Sequence, residues 1–140
     1  MKPMHVMALS FLLSSALLAQ HLEVQIRGIQ TNREGPLLVL LWNDSKSFPK
    51  ARLALKTIKT TAEAGEKRVV FSNLTAGPHA VAVYHDENRN DKLDFKFLVL
   101  PTEGAGFSGE KTPMGPPQFR DYRVEVGPSG GRAEVRVKYP

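Results

Sequence analysis

The chain has no cysteine, so no disulfide holds its loops, and packing, hydrogen bonds or a bound cation must do so. No stretch of useful length repeats its apolar residues at the helical period, which excludes a helical bundle. After residue 19 no apolar run is long enough to cross a bilayer, and no transmembrane segment is expected there. Aromatic residues make up 8% of the chain, with a single Trp, and they do not interleave with the basic residues as they would on a nucleic-acid surface. The formal net charge is +5, and the densest basic group is Lys46, Lys50, Arg52, Lys56 and Lys59. Without a recognition motif, that group reads as a solvated strand face, and no nucleic-acid partner is expected.

What is present begins with residues Met1 to Ala19, which have the form of a secretory signal. Lys2 lies near the start, an apolar run continues from Val6 to Leu18, and Ala19 is a small residue at the cleavage position. Residues 20–140 then make one domain, with an apolar share of 41% that suffices for a single core. The expected location is periplasmic or extracellular. Cleavage after Gln20 would instead leave His21 as an N-terminal residue able to bind copper with His79 or His85. Ala19 fits the small-residue rule better.

Leu22, Val24 and Ile26 alternate with polar residues up to Gly28, the pattern of a half-buried strand. Leu37 to Trp42 is continuously apolar, as in a central strand buried on both faces. Weaker alternation covers Leu53 to Thr61, and Lys67 to Phe71 gives a further short strand. His79 to Tyr84 places Val81 and Val83 on one face and Ala80, Ala82 and Tyr84 on the other. From Asp94 to Asp121, closely spaced Gly and Pro rule out long regular elements. Tyr122 to Val126 and Ala133 to Tyr139 flank Gly127-Pro-Ser-Gly-Gly131 as a terminal hairpin. About seven short strands with one long irregular loop predict an all-β sandwich, immunoglobulin- or transthyretin-like.

The chemistry concentrates in His85-Asp-Glu-Asn-Arg-Asn-Asp-Lys-Leu-Asp94, directly after an apolar strand. Asp86, Asn88, Asn90 and Asp94 stand at relative positions 1, 3, 5 and 9, where an oxygen-ligated calcium loop needs side-chain ligands. Lys92 supplies the position-7 carbonyl and Leu93 the apolar anchor. Phe97 stands at position 12 in place of a bidentate Glu, so Glu103, from the irregular stretch beyond, is the candidate to complete the shell. The competing reading is a polar loop whose Asp and Asn oxygens satisfy its own backbone. Phe107 and Phe119, in Gly- and Pro-rich loops, either contact a ligand or pin the loops onto the core.

No catalytic constellation is evident. His85 and Asp86, adjacent on a strand, point to opposite faces, which is poor geometry for an acid–base pair. Ser108 lacks the Gly-x-Ser-x-Gly elbow of a nucleophile.

Three segments taken together, His85 to Asp94, Pro101-Thr-Glu-Gly-Ala-Gly-Phe-Ser108 and Gly115-Pro-Pro-Gln-Phe-Arg-Asp121, resemble the successive motifs of a bacterial secreted family, the domain of unknown function 2141 family. The resemblance spans roughly Leu22 to Tyr139. It implies an exported, β-rich protein without an established activity. Phe71 to Val83 also resembles the strand-turn-strand of transthyretin-like and carboxypeptidase-regulatory-like sandwiches. Arg89 and Asp91 stand where glycines are typical of the family's acidic loop. The expectation is therefore a non-enzymatic, exported module with a structural Ca2+ held by Asp86, Asn88, Asn90, Lys92, Asp94 and Glu103, and a protein or glycan partner. The alternatives are carbohydrate or peptide binding through Phe107 and Phe119, and a metal-dependent enzyme with an open coordination position.

Overall fold

The computed structural model describes residues 20–92, 95–96, 100–109 and 115–140. The expected leader, residues 1–19, and Leu93, Asp94 and Phe97 of the acidic segment lie outside them. Alternating and continuously apolar segments become strands β1 (Gln20–Arg27), β2 (Leu37–Trp42), β3 (Lys56–Thr60), β4 (Lys67–Leu74) and β5 (Gly77–His85). After these come β6 (Phe95–Lys96), β7 (Leu100–Pro101), β8 (Ala105–Phe107), β9 (Val124–Val126) and β10 (Gly131–Arg136). A 3-10 turn at Ala51–Leu53 and a four-residue helix, α1 (Phe119–Tyr122), are the helical elements among the described residues.

Eight of the strands form two sheets, one of order β10-β1-β4 and one of order β3-β2-β5-β8 with β9 also on β5, while β6 and β7 pair only with each other. The chain is an all-β sandwich. Its first and last strands lie parallel, Val24 beside Ala133 and Ile26 beside Val135. In the larger sheet β2 runs antiparallel to β5, with Val39 opposite Val83 and Leu41 opposite Val81.

The sheet alternation sorts the apolar side chains into two layers. Between the sheets lie Leu22, Val24 and Ile26 of β1, Val39 and Leu41 of β2, Val81 and Val83 of β5, and Val135 of β10. The opposite face of the larger sheet carries Leu38, Leu40, Trp42, Ala80, Ala82 and Tyr84, covered by Phe48 and Tyr122. A strand buried on both sides has no solvated face, which is why β2 is apolar at every position.

Three local expectations are corrected. Residues 51–53 form a turn, and β3 starts only at Lys56. The glycine-rich stretch contains β8, because its glycines serve close approach instead of turning. A Cβ on Gly106 would collide with the Arg136 carbonyl group, and one on Gly104 with the Tyr139 ring. That closeness lets Ala105 exchange hydrogen bonds with Lys138 at 3.0 and 2.9 Å, closing one edge of the sandwich. Finally, β9 and β10 do not form a ladder as a hairpin. Gly127 and Gly130 bond reciprocally at 3.1 and 2.9 Å, but β9 pairs with β5 and β10 with β1. Only as a member of the other sheet can β10 bury Ala133 and Val135 between the layers.

Leu41 is fully buried between the sheets, so Leu41→Ala should lower the unfolding free energy by about 2–5 kcal/mol. Val70, on the outer face of β4 and 42% exposed, should tolerate Val70→Thr within about 0.5 kcal/mol. Urea denaturation of both variants measures the contrast.

Candidate functional site

β5 ends in His85 and is followed by Asp86, two polar residues that the packing removes from water, both 0% exposed. Each therefore needs partners. His85 Nε2 lies 3.1 Å from the Gly35 carbonyl, and Nδ1 lies 2.7 Å from the Tyr139 hydroxyl. A carbonyl only accepts, so Nε2 donates and Nδ1 receives the phenol proton. The Tyr139 oxygen accepts in turn from the Gln30 N–H at 3.1 Å. Burial raises the pKa of this phenol, against the opposing pulls of the Gln30 N–H and the Arg33 charge. Arg33 covers the Tyr139 ring at 4.7 Å and pairs with Glu87 at 2.9 Å. With both ring nitrogens engaged, His85 turns away from Asp86, and the two side chains do not act on each other.

Gly35 makes this packing possible. Its φ is +90°, and a Cβ there would run into the Asp86 carbonyl, a conformation and a closeness that only glycine accepts. Beside it the Asp86 N–H donates to the Pro36 carbonyl at 2.9 Å. The first residue of the acidic loop is thus fixed to the start of β2.

The Asp86 carboxylate organises the rest of the loop. Oδ1 accepts from the Asn90 N–H at 3.1 Å and Oδ2 from the Asp91 N–H at 2.8 Å, two charge-assisted bonds that curl the chain around one carboxylate. Asn88 Oδ1 accepts from the Asn90 N–H at 3.3 Å, and Asn90 Oδ1 from the Lys92 N–H at 3.0 Å. The side-chain oxygens of Asp86, Asn88 and Asn90 thus accept from the loop's own amides, the pattern of a self-satisfied polar loop. Arg89 and Asp91 adopt positive φ, 57° and 59°, the two positions where glycine was expected. Lys59 reaches Asp91 at 3.2 Å, an exposed pair of small energetic value.

Of the proposed ligands, Asp86, Asn88, Asn90 and Lys92 lie together on this curve, while Asp94 is outside the described residues. Glu103 precedes β8, which pairs with β5. The β5–β8 ladder pairs Tyr84 with Ala105, and the His85 N–H donates to the Gly104 carbonyl at 2.7 Å. Continuing that register past the ends of both strands would set Glu103 across from Asp86. Glu103 is 5% exposed. Asp86 and Glu103 are thus the two buried carboxylates among the described residues, and both lie beyond the last pair of this ladder. Among the described residues no three His, Cys, Asp or Glu side chains form a metal-holding group, so any cation here would need Asn and backbone oxygens as well.

Phe107 and Phe119 are brought together, but inward. Phe107 stacks on Tyr122 at 4.7 Å and stands 6.0 Å from Phe48, which is 6.1 Å from Phe119. These rings fasten the irregular stretch onto the outer face of the larger sheet. Ser108 does the same with hydrogen bonds: its hydroxyl accepts from the Val81 N–H at 2.9 Å and donates to the Tyr122 carbonyl at 2.6 Å.

One feature went unread in the sequence. On that same outer face lies a groove of 770 Å³ whose rim includes Lys50, Arg52, Lys59 and Lys92. Three of these belong to the basic group assigned to a strand face. The signal was the parity of β3, since Thr57 and Lys59 point to the side of Leu38 and Leu40, while Ile58 packs between the sheets.

The acidic loop can be tested through stability. Arg89, exposed and at φ 57°, carries the strain of a left-handed non-Gly residue. Relief of about 1–2 kcal/mol exceeds the entropic cost of glycine, about 0.5–1 kcal/mol. Arg89→Gly should raise the thermal midpoint and Arg89→Val should lower it. Asp86→Ala removes both loop-closing bonds and should cost roughly 3 kcal/mol, with Asp86→Asn intermediate; chemical denaturation in a chelator-containing buffer reads the order.

No curated protein and no solved structure matches the chain significantly. A family model described as an uncharacterized protein conserved in bacteria (DUF2141) matches residues 24–134, from the middle of β1 to the middle of β10, and so includes every strand that forms the site. The chain belongs to this family.

Proposed function

We propose that the protein is an exported, non-enzymatic β-sandwich module whose acidic loop holds a structural calcium ion and whose neighbouring surface engages a partner. The observation that carries this reading is that Asp86, just after β5, and Glu103, just ahead of β8, are both buried where the β5–β8 ladder ends. A carboxylate removed from water loses its hydration, and a divalent cation beside it would offset that loss. The side-chain oxygens of Asn88 and Asn90 and the Lys92 carbonyl would add hard, neutral ligands of the kind calcium takes. The ion would brace the loop that joins β5 to the long segment ahead of β8. Export rests on the sequence of residues 1–19. The non-enzymatic reading rests on His85 and Ser108, whose polar atoms are engaged in holding strands together.

Extracytoplasmic calcium loops bind at about 10⁻⁴–10⁻³ M. At about 10 mM calcium and a Kd near 1 mM, mass action adds about 1.4 kcal/mol, a shift of roughly 5 °C for a domain of this size. Thermal melts of the wild type with calcium and with a chelator should differ by that amount, and magnesium should do less. Asp86→Asn and Glu103→Gln should melt alike in both buffers. Superimposable wild-type melts would refute the calcium site.

A further inference from the structure

The connection between β2 and β3, residues 43–55, carries a second inference, one that does not rest on the calcium reading. It leaves the sheet at Trp42, which pairs with Ala80, whereas Leu37 at the other end of β2 pairs with His85. The length of β2, about 17 Å at the strand rise, therefore separates this connection from the acidic loop. Its 3-10 turn docks on the outer apolar layer through Ala51 and Ala54, which leaves Arg52, Leu53 and Leu55 in solvent. Leu53 is 39% and Leu55 47% exposed. Among the described residues the exposed large hydrophobics are these two and Val70, which stands apart on β4. A single exposed apolar side chain is ordinary, but two within three residues make an accessible apolar tip.

The same connection is cationic. Lys46, Lys50 and Arg52 are all exposed, and Asp44 is its single acid, engaged by the Ser47 N–H at 2.8 Å. Neither Lys50 nor Arg52 forms an ion pair among the described residues. Lys50 is held at the tip through its backbone, whose carbonyl accepts from the Trp42 indole N–H at 3.0 Å. Accessible leucines between long cationic side chains suit the surface of an anionic bilayer: the aliphatic groups enter the acyl boundary while Lys and Arg extend their heads to the phosphates. A protein partner draws instead on Trp and Tyr anchors, and the one aromatic residue of the connection, Phe48, is buried. No helix among the described residues is long and apolar enough to cross a membrane, so the contact is with the surface. The acidic loop stands about twice the Debye length of physiological salt, roughly 8 Å, from the tip, and its carboxylates do not oppose the approach.

We infer that this tip docks on the surface of an anionic phospholipid bilayer, with Leu53 and Leu55 entering it and Lys50 and Arg52 holding the phosphates. The chain from Gln20 on contains both apolar layers and omits the apolar run of residues 6–18, which would bind lipid by itself. Vesicles of phosphatidylglycerol and phosphatidylcholine in equal parts should sediment this protein, pure phosphatidylcholine vesicles should leave it in solution, and salt at about 0.5 M should release it. Leu53→Ser/Leu55→Ser should weaken binding at least fivefold and Lys50→Glu/Arg52→Glu at least tenfold, both with unchanged melting midpoints because the side chains are exposed. Val70→Ser, which removes the third exposed apolar side chain, should bind as wild type does. Absence of binding to the anionic vesicles, equal binding to the two compositions, full affinity in the leucine variant, or a matching loss in Val70→Ser would each overturn the assignment.

Discussion

The constraint on which the site depends is that β5 is buried on both faces to its last residue and beyond. Val81 and Val83 face one apolar layer and Ala80, Ala82 and Tyr84 the other, so when the chain turns polar at His85 and Asp86 it is still inside. A buried imidazole and a buried carboxylate each cost several kcal/mol unless bonded. Much of the surrounding chain is arranged to supply those bonds. Gly35 brings a carbonyl to His85, the segment after β10 brings the Tyr139 hydroxyl, and the loop curls back so that the Asn90 and Asp91 amides reach Asp86. The loop is consequently a part of the core's polar boundary, not an appendage to it.

The same constraint explains the seam along β8. For Tyr139 to reach His85, the chain after β10 must cross from the three-stranded sheet toward the larger one. It does so through the paired bonds of Lys138 with Ala105. The crossing brings Arg136 and Tyr139 against β8 at a distance that leaves no room for a side chain at Gly104 or Gly106. Packing, register and the position of Glu103 are thus set together. Moving β8 by one residue would place Glu103 on the opposite face from Asp86 and put a side chain where Gly106 now stands.

These dependencies also mark what could be read from residues alone. The two-sided burial of β2 and the facing of β5 are legible because strand periodicity is local, and so is the habit of Asp and Asn to accept from nearby amides, as Asp86, Asn88 and Asn90 do. The role of the glycines at 104 and 106 is not legible, since a glycine that turns and a glycine that admits another backbone look alike until the second backbone is known. The diverging paths of β9 and β10 are hidden for a similar reason. Both alternate, and alternation names a face without naming the sheet. Phe107 and Phe119 meet only through Phe48, a residue from a loop far away in sequence.

The distribution of charge shows why the basic residues are not interchangeable. On the outer face of the three-stranded sheet, Glu23 lies between Arg68 and Arg132 at 3.4 and 3.5 Å, and Arg27 bonds Glu66 and Glu134, both at 2.6 Å. Those two acids, Glu66 ahead of Glu134, raise the Arg27 pKa further. Each such pair contributes little energy at the surface, but together they balance cations with anions across that sheet. The groove has no comparable set of anions. The positive excess of the chain therefore includes a concentrated share at Lys50, Arg52 and Lys92, beside apolar side chains and away from the salt-bridged face. The cations of the opposite sheet, held in these pairs, keep that face solvated without leaving an excess of either sign there.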